Sequence, residues 1–171
     1  MATADKILLG YGVVSVGATP IGLTRGGSVF TVEREYRNIE ADGDKGPVKG
    51  RIVIDTEVAK LTVNALELFT AADMDKYYPG LTITLTPTGT PTTDVMTSTI
   101  TIASGDHNDI TWVGKTKDGK AVTIKIDDAI NMGNLEWTLE DKNEVVPSLE
   151  FTATYDEATR ETAPWSVVFA R

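Results

Sequence analysis

Apolar and polar residues alternate along most of this chain. Phe30, Val32 and Tyr36 share one face of a first long stretch, and Thr31, Glu33, Glu35 and Arg37 share the other; Arg34 interrupts the apolar set. In the next stretch Ile52, Ile54 and Val58 alternate with Arg51, Asp55 and Glu57. The same two-residue beat runs through Leu81, Ile83 and Leu85, then Met96, Ile100 and Ile102, then Val122, Ile124 and Ile126. It returns in Leu135, Trp137 and Leu139 and in Leu149, Phe151, Ala153 and Tyr155. Successive side chains of an extended strand point to opposite faces, so each stretch reads as a half-buried strand. About ten short strands divided by turns predict a mainly β chain, a sandwich of two sheets or a barrel.

The punctuation agrees. Lys117-Asp118-Gly119-Lys120 predicts a tight hairpin between Ile110–Lys115 and Ala121–Ile126. Thr86 to Thr93 reads as a proline, threonine and glycine loop. One helix is predicted over Ala71–Tyr78: Thr70 caps it, Asp73 stands where a capping box wants an acceptor, and Pro79-Gly80 stops it. Met74 and Tyr78 would face the sheet, and a single helical turn is expected near Asp128–Asn131. Trp112 and Trp137 sit at apolar strand positions and are assigned to the core or a subunit seam. Trp165 and the tail 161–171 either close the sandwich or lie on a neighbour. With no repeat, linker or composition break, the chain 1–171 reads as one domain.

One connection is too long for a plain hairpin. Residues 36–50 hold three glycines, Pro47, and the charges Glu40, Asp42, Asp44, Lys45 and Lys49. Compact domains seldom keep such a polar arm without a use for it.

Composition narrows the chemistry. There are no cysteines, which excludes disulfide scaffolds, thiol catalysis and cysteine metal sites. The net charge of -9 argues against a surface that grips nucleic acid by neutralising phosphates. No apolar run approaches the roughly 20 residues of a membrane span, and the opening residues make a poor signal peptide. Gly114-Lys115-Thr116 resembles the end of a phosphate loop, but Asp109 stands where that loop needs glycine. Gly10-Tyr11-Gly12 begins a dinucleotide fingerprint with no helix to follow. Asp42-Gly43-Asp44 is too short of ligands for a calcium loop. Asp106-His107-Asn108-Asp109 holds the only histidine and reads as a solvated turn before it reads as a metal site. No nucleophile and base pattern stands out, so an enzyme is not expected.

The acidic strand faces are more informative. Glu33, Glu35, Asp55 and Glu57 stand on the polar sides of the first two long strands, offset only by Arg37 and Arg51 near the loop. In a solitary sandwich this is the wet face. Long edge strands, however, invite pairing between chains. Copies joined edge to edge around a ring would close a barrel with those carboxylates lining the bore. The arm would then project toward the next ring.

Thr24-Arg25-Gly26-Gly27, Phe30-Thr31-Val32-Glu33-Arg34-Glu35-Tyr36, Glu40-Ala41-Asp42-Gly43 and Gly46-Pro47-Val48-Lys49-Gly50 follow in that order. With them the chain resembles the tail tube, or major tail, proteins of long-tailed bacteriophages. Leu61–Leu68, Asn131–Glu136, Phe151–Asp156 and Pro164-Trp165 extend the likeness over most of the chain, and 86–109 matches least. The resemblance implies a β-sandwich flanked by a short helix, with a long hairpin arm. It implies hexameric rings whose inner sheets join into one barrel, stacked into a hollow tube through which the genome passes. Glu33, Glu35, Asp55 and Glu57 would line the lumen. Glu40, Asp42, Asp44, Lys45, Pro47 and Lys49 would contact the next ring. No catalysis, cofactor or metal is implied. The implied partners are copies of itself, a tape-measure protein inside the tube, tail terminator and distal tail proteins, and double-stranded DNA in passage without specific binding. The implied place is the virion tail, assembled in the host cytoplasm. The tube of a contractile tail or of a tail-derived bacteriocin is an alternative. A monomeric β-sandwich binding module is another, although its aromatics would be grouped on one loop face and these tryptophans are scattered.

Overall fold

Alternation produces strands nearly throughout. The computed structural model describes residues 6–67, 70–85 and 93–171. Strands β1 (Leu8–Val16), β2 (Thr19–Pro20), β3 (Thr24–Asn38) and β4 (Ile52–Ala65) precede α1 (Ala71–Tyr77), the one α-helix among the described residues. Then come β5 (Leu81–Leu85), β6 (Asp94–Ser98), β7 (Asn108–Thr116), β8 (Ala121–Asn131), β9 (Ser148–Thr152) and β10 (Trp165–Phe169). The chain is mainly β, with its principal strands in two layers, a small β5–β6 hairpin and one short helix.

Strand β8 joins the layers. Its first half lies between β7 and β10, and its last residues, Ile130 and Asn131, pair with β9. One layer therefore runs β2-β1-β7-β8-β10, and the other continues from the end of β8 through β9 and β4 to β3. Between them lies a single core. Val14, Val16, Ile110, Trp112, Val122 and Ile126 meet Ala59, Leu61, Val63, Leu149 and Phe151. Burying a side chain such as Leu61 or Ile110 contributes about 1.5–3 kcal/mol.

Two of the rejected glycine motifs acquire a structural meaning here. Gly12 and Gly114 are directly opposed across the β1–β7 ladder. A Cβ on Gly12 would fall 2.5 Å from Cε2 of Trp112, and one on Gly114 would also collide with that indole. The glycines are the seat of the core tryptophan.

Helix α1 forms as its ends dictate. The Thr70 hydroxyl accepts the Asp73 amide at 3.2 Å, and the Tyr78 amide donates to Met74 O. Met74, Tyr77 and Tyr78 are buried. The buried Asn131 ties helix to sheet: its Nδ2 donates to Tyr77 O at 2.8 Å, and its Oδ1 accepts from the amides of Gly133 and Glu150. A buried amide with all these partners costs little.

Some expectations are corrected. Asp128–Asn131 is no helical turn but the continuation of β8. Leu135, Trp137 and Leu139 form no strand; that stretch has no ladder partner among the described residues, and all three are exposed. Trp137 is therefore not in the core, whereas Trp112 is. Ile100 and Ile102 lie beyond the end of β6 and are exposed. The Thr86–Thr93 loop falls outside the described residues except for Thr93.

Candidate assembly surface

The feature that dominates the surface is the β3–β4 hairpin. β3 is 15 residues long and, among the described residues, pairs with β4 alone and leaves its other edge open. Its lower half belongs to the sandwich. Phe30 pairs with Leu61 and Val32 with Ala59, packed on the core.

A bulge changes the phase of β4. Arg34 pairs with Glu57 and Glu35 with Thr56, but Tyr36 pairs with Ile54, leaving Asp55 as the extra residue. Directly opposed residues share a face. The core-side face is therefore Phe30, Val32, Arg34 and Tyr36 with Leu61, Ala59, Glu57 and Ile54. The outer face carries Val29, Thr31, Glu33, Glu35 and Arg37 with Thr62, Lys60, Val58, Thr56 and Val53. This corrects the grouping made from alternation: Glu57 stands on the face opposite Glu33 and Glu35, and Val58 on the face opposite Ile54.

Glu57 has a structural occupation. Its carboxylate accepts from Arg34 Nε and, at 2.6 Å, from the Trp165 indole N–H. Its carbonyl accepts the Tyr155 hydroxyl at 3.0 Å. The indole hydrogen bond, then the Arg34 bond, holds the Glu57 carboxyl below its ordinary value, and the same contact raises Arg34. Trp165 also packs on Phe30 with ring centroids 5.8 Å apart. So β10 closes the sandwich against the hairpin, as one of the two readings of Trp165 has it.

The outer face is less acidic than its carboxylates suggest. Asp55 pairs with Arg37 at 2.9 Å, and Glu33 with Lys60 at 3.2 Å. Glu35 accepts the Thr56 hydroxyl at 2.9 Å. Lys60 had no place in the reading of the sequence, yet β4 continues to Ala65, which puts Lys60 on this face. Three carboxylates, Glu33, Glu35 and Asp55, thus face two cations, Arg37 and Lys60. Glu150, opposite Thr62 on β9, adds a fourth acid.

Beyond the bulge the hairpin leaves the body. Tyr36, Ile39, Ile52 and Ile54 are all about half exposed or more. The connection above them is ordered by its own contacts. Asp44 Oδ2 accepts the Ala41 amide at 2.8 Å and Arg51 Nη1 at 2.6 Å. Ile39 N–H donates to Arg51 O, and Val48 N–H to Asn38 Oδ1. Gly43 and Gly50 take φ values of 90° and 88°, which admit glycine readily and other residues at a cost. Asp44 is therefore occupied inside the arm. Glu40, Asp42, Lys45, Pro47 and Lys49 remain exposed, and the two lysines make no ion pair among the described residues. The Asp106–Asp109 turn is also occupied: Asp106 accepts the Ala103 amide, and Asp109 pairs with Lys125.

The fold has a solved counterpart. The chain is similar to the anti-feeding prophage cap, a tube-terminating cap determined by cryo-EM, with a TM-score of 0.52 and 13% identity over 99% of this chain and 100% of that one. At that identity the likeness is one of fold. No family model and no curated relative matches the sequence.

Proposed function

We propose that this chain is a non-enzymatic structural subunit of a phage-tail-type tube. Copies join edge to edge into rings, hexameric in the reading carried over from the tail tube resemblance, and the rings stack into a hollow tube that passes double-stranded DNA. The observation that carries the reading is the long unpartnered edge of β3, in a fold shared with a protein of a tube end. An open edge of this length is a template for pairing with another chain. The outer face of β3, β4 and β9 then lines the bore, with Glu33, Glu35, Asp55 and Glu150 in excess over Arg37 and Lys60. Its repulsion of phosphates is short-ranged, screened over ~8 Å at physiological salt. The arm 36–50 reaches the neighbouring ring. Tape-measure, terminator and distal tail proteins are the expected companions, and the virion or a tail-like particle the expected place.

A second reading, a terminating cap, is favoured by the role of the similar structure. Electron microscopy and sedimentation of concentrated protein separate the two. Tubes that lengthen with concentration support the first, single rings that never stack support the second, and a monomer under every condition sinks both. Removing residues 40–49 leaves rings and abolishes stacking; normal tubes from that deletion remove the arm from the contact.

A further inference from the structure

The β3–β4 hairpin carries exposed apolar residues at each end, and the two ends differ in charge. At the tip are Tyr36, Ile52 and Ile54, below the unpaired Lys45 and Lys49. At the other end β4 stops at Ala65, and Leu66, Leu139 and Val145 line an open groove of ≈ 450 Å³, together with Trp137 and Glu144. Leu139 is 76% exposed. The stretch around it, Glu136 to Glu144, carries Glu136, Glu140, Asp141 and Glu144 against the single cation Lys142. Arg25, at the start of β3, pairs with Glu144 at 2.8 Å, which fixes this ledge to the base of the hairpin. Thirteen steps of strand separate Ile52 from Ala65, about 40 Å at the usual rise.

We propose that these two surfaces are each other's partners: the hairpin tip of one copy seats on the Leu66–Leu139–Val145 ledge of the next, with Lys45 and Lys49 above Glu140 and Asp141. Apolar surface meets apolar surface, and two exposed cations of a strongly acidic chain meet its acidic segment. The proposal rests on the tube reading and deepens it by naming the receiving surface. Unlike patches at opposite ends make a head-to-tail contact, which repeats without limit unless its geometry closes. A terminator needs only one such end. This chain has both, so it propagates.

The test uses the full chain with charge reversals on exposed residues, which leave the core intact. Lys45→Glu with Lys49→Glu disables the tip, and Glu140→Lys with Asp141→Lys disables the ledge. Each is expected to give rings without tubes, or a rise of roughly tenfold or more in the concentration at which tubes form. Mixing the two proteins is expected to give tubes of alternating rings, because the tip of each variant then meets a ledge of opposite sign on the other. All four changes in one chain are expected to restore tubes. Tubes from both variants at the wild-type concentration overturn the contact and leave the tube reading standing. Failure of the fourfold variant to rescue two assembly-dead parents, with circular dichroism unchanged, overturns the pairing. A wild-type chain that never assembles overturns the tube reading and this inference with it.

Discussion

The two halves of the β3–β4 hairpin share strands and hydrogen-bond ladder, yet they have different fates. Near the base, Leu61 is 1% exposed and Val63 0%. Near the tip, Tyr36 is 63% exposed and Ile54 51%, although both point to the same side of the ribbon. The residue types hardly differ. The opposing layer ends, and the strands continue. A solitary two-stranded ribbon is marginally stable in water, so the distal half persists through its continuity with the base, through the Asp44 network and, in the reading proposed above, through a neighbour. Apolar burial holds the base; the tip leaves its apolar face uncovered.

The largest effect that tests this contrast is a pair of truncations in the unassembled subunit. Leu61→Ala is expected to cost about 2–5 kcal/mol by urea unfolding, because it leaves a cavity in a closed core. Ile54→Ala is expected to cost less than about 0.5 kcal/mol, as a surface change does. Comparable losses at the two sites would mean that the tip is packed in the monomer, and the contrast would fail.

A middle-sized effect marks the boundary between the halves, where Trp165 and Arg34 hold Glu57. Trp165→Phe keeps most of the ring but removes the donor to a carboxylate, at an expected cost of about 1–3 kcal/mol. The same clamp predicts a pH dependence. The folded Glu57 titrates below its ordinary 4.5, so its contribution is present above that pH and is lost as acid carries the solution down through the depressed value. The melting temperatures of wild type and Glu57→Gln should differ most near neutrality and converge below pH 4.5. A gap that stays constant down to pH 3 would show that the charge of Glu57 is not what holds β10 against the hairpin.

Much of this was legible in the sequence. Thr70 and Asp73 announced the helix, and Lys117-Asp118-Gly119-Lys120 announced the β7–β8 turn, because these signals are local. The bulge is written there too, as a break in the alternation. Apolar residues occupy even positions at Ile52 and Ile54, then odd positions at Ala59, Leu61, Val63 and Ala65. That change of phase marks a bulge between Ile54 and Ala59; the ladder places it at Asp55 and so moves Glu57 off the outer face. The Leu135–Leu139 beat misled for the opposite reason. Alternation says which residues would share a face, but a strand also needs a neighbouring strand, and none among the described residues reaches that stretch. Nor does alternation say whether a face is covered, which is the whole difference between Leu61 and Ile54.

The smallest effect concerns the arm itself. Asp44 is part-buried, and its pair with Arg51 stands where water still screens it, so the pair contributes only ~0.2–1 kcal/mol to global stability. Asp44→Ala should therefore leave the urea midpoint nearly unchanged. Its local effect is larger, because one Oδ2 atom holds both the Ala41 amide and the Arg51 guanidinium. Removing it frees the loop between those residues, and that loop offers trypsin Lys45 and Lys49. Proteolysis of a locally opened segment follows the population of the open form. Asp44→Ala should thus be nicked faster than wild type at these lysines, with Asp44→Asn between them because it keeps an acceptor and loses the charge. Equal cleavage rates in all three proteins would mean that the glycine turns and the Ile39–Arg51 backbone bond alone shape the arm. The tip would then owe its order to the ladder beneath it.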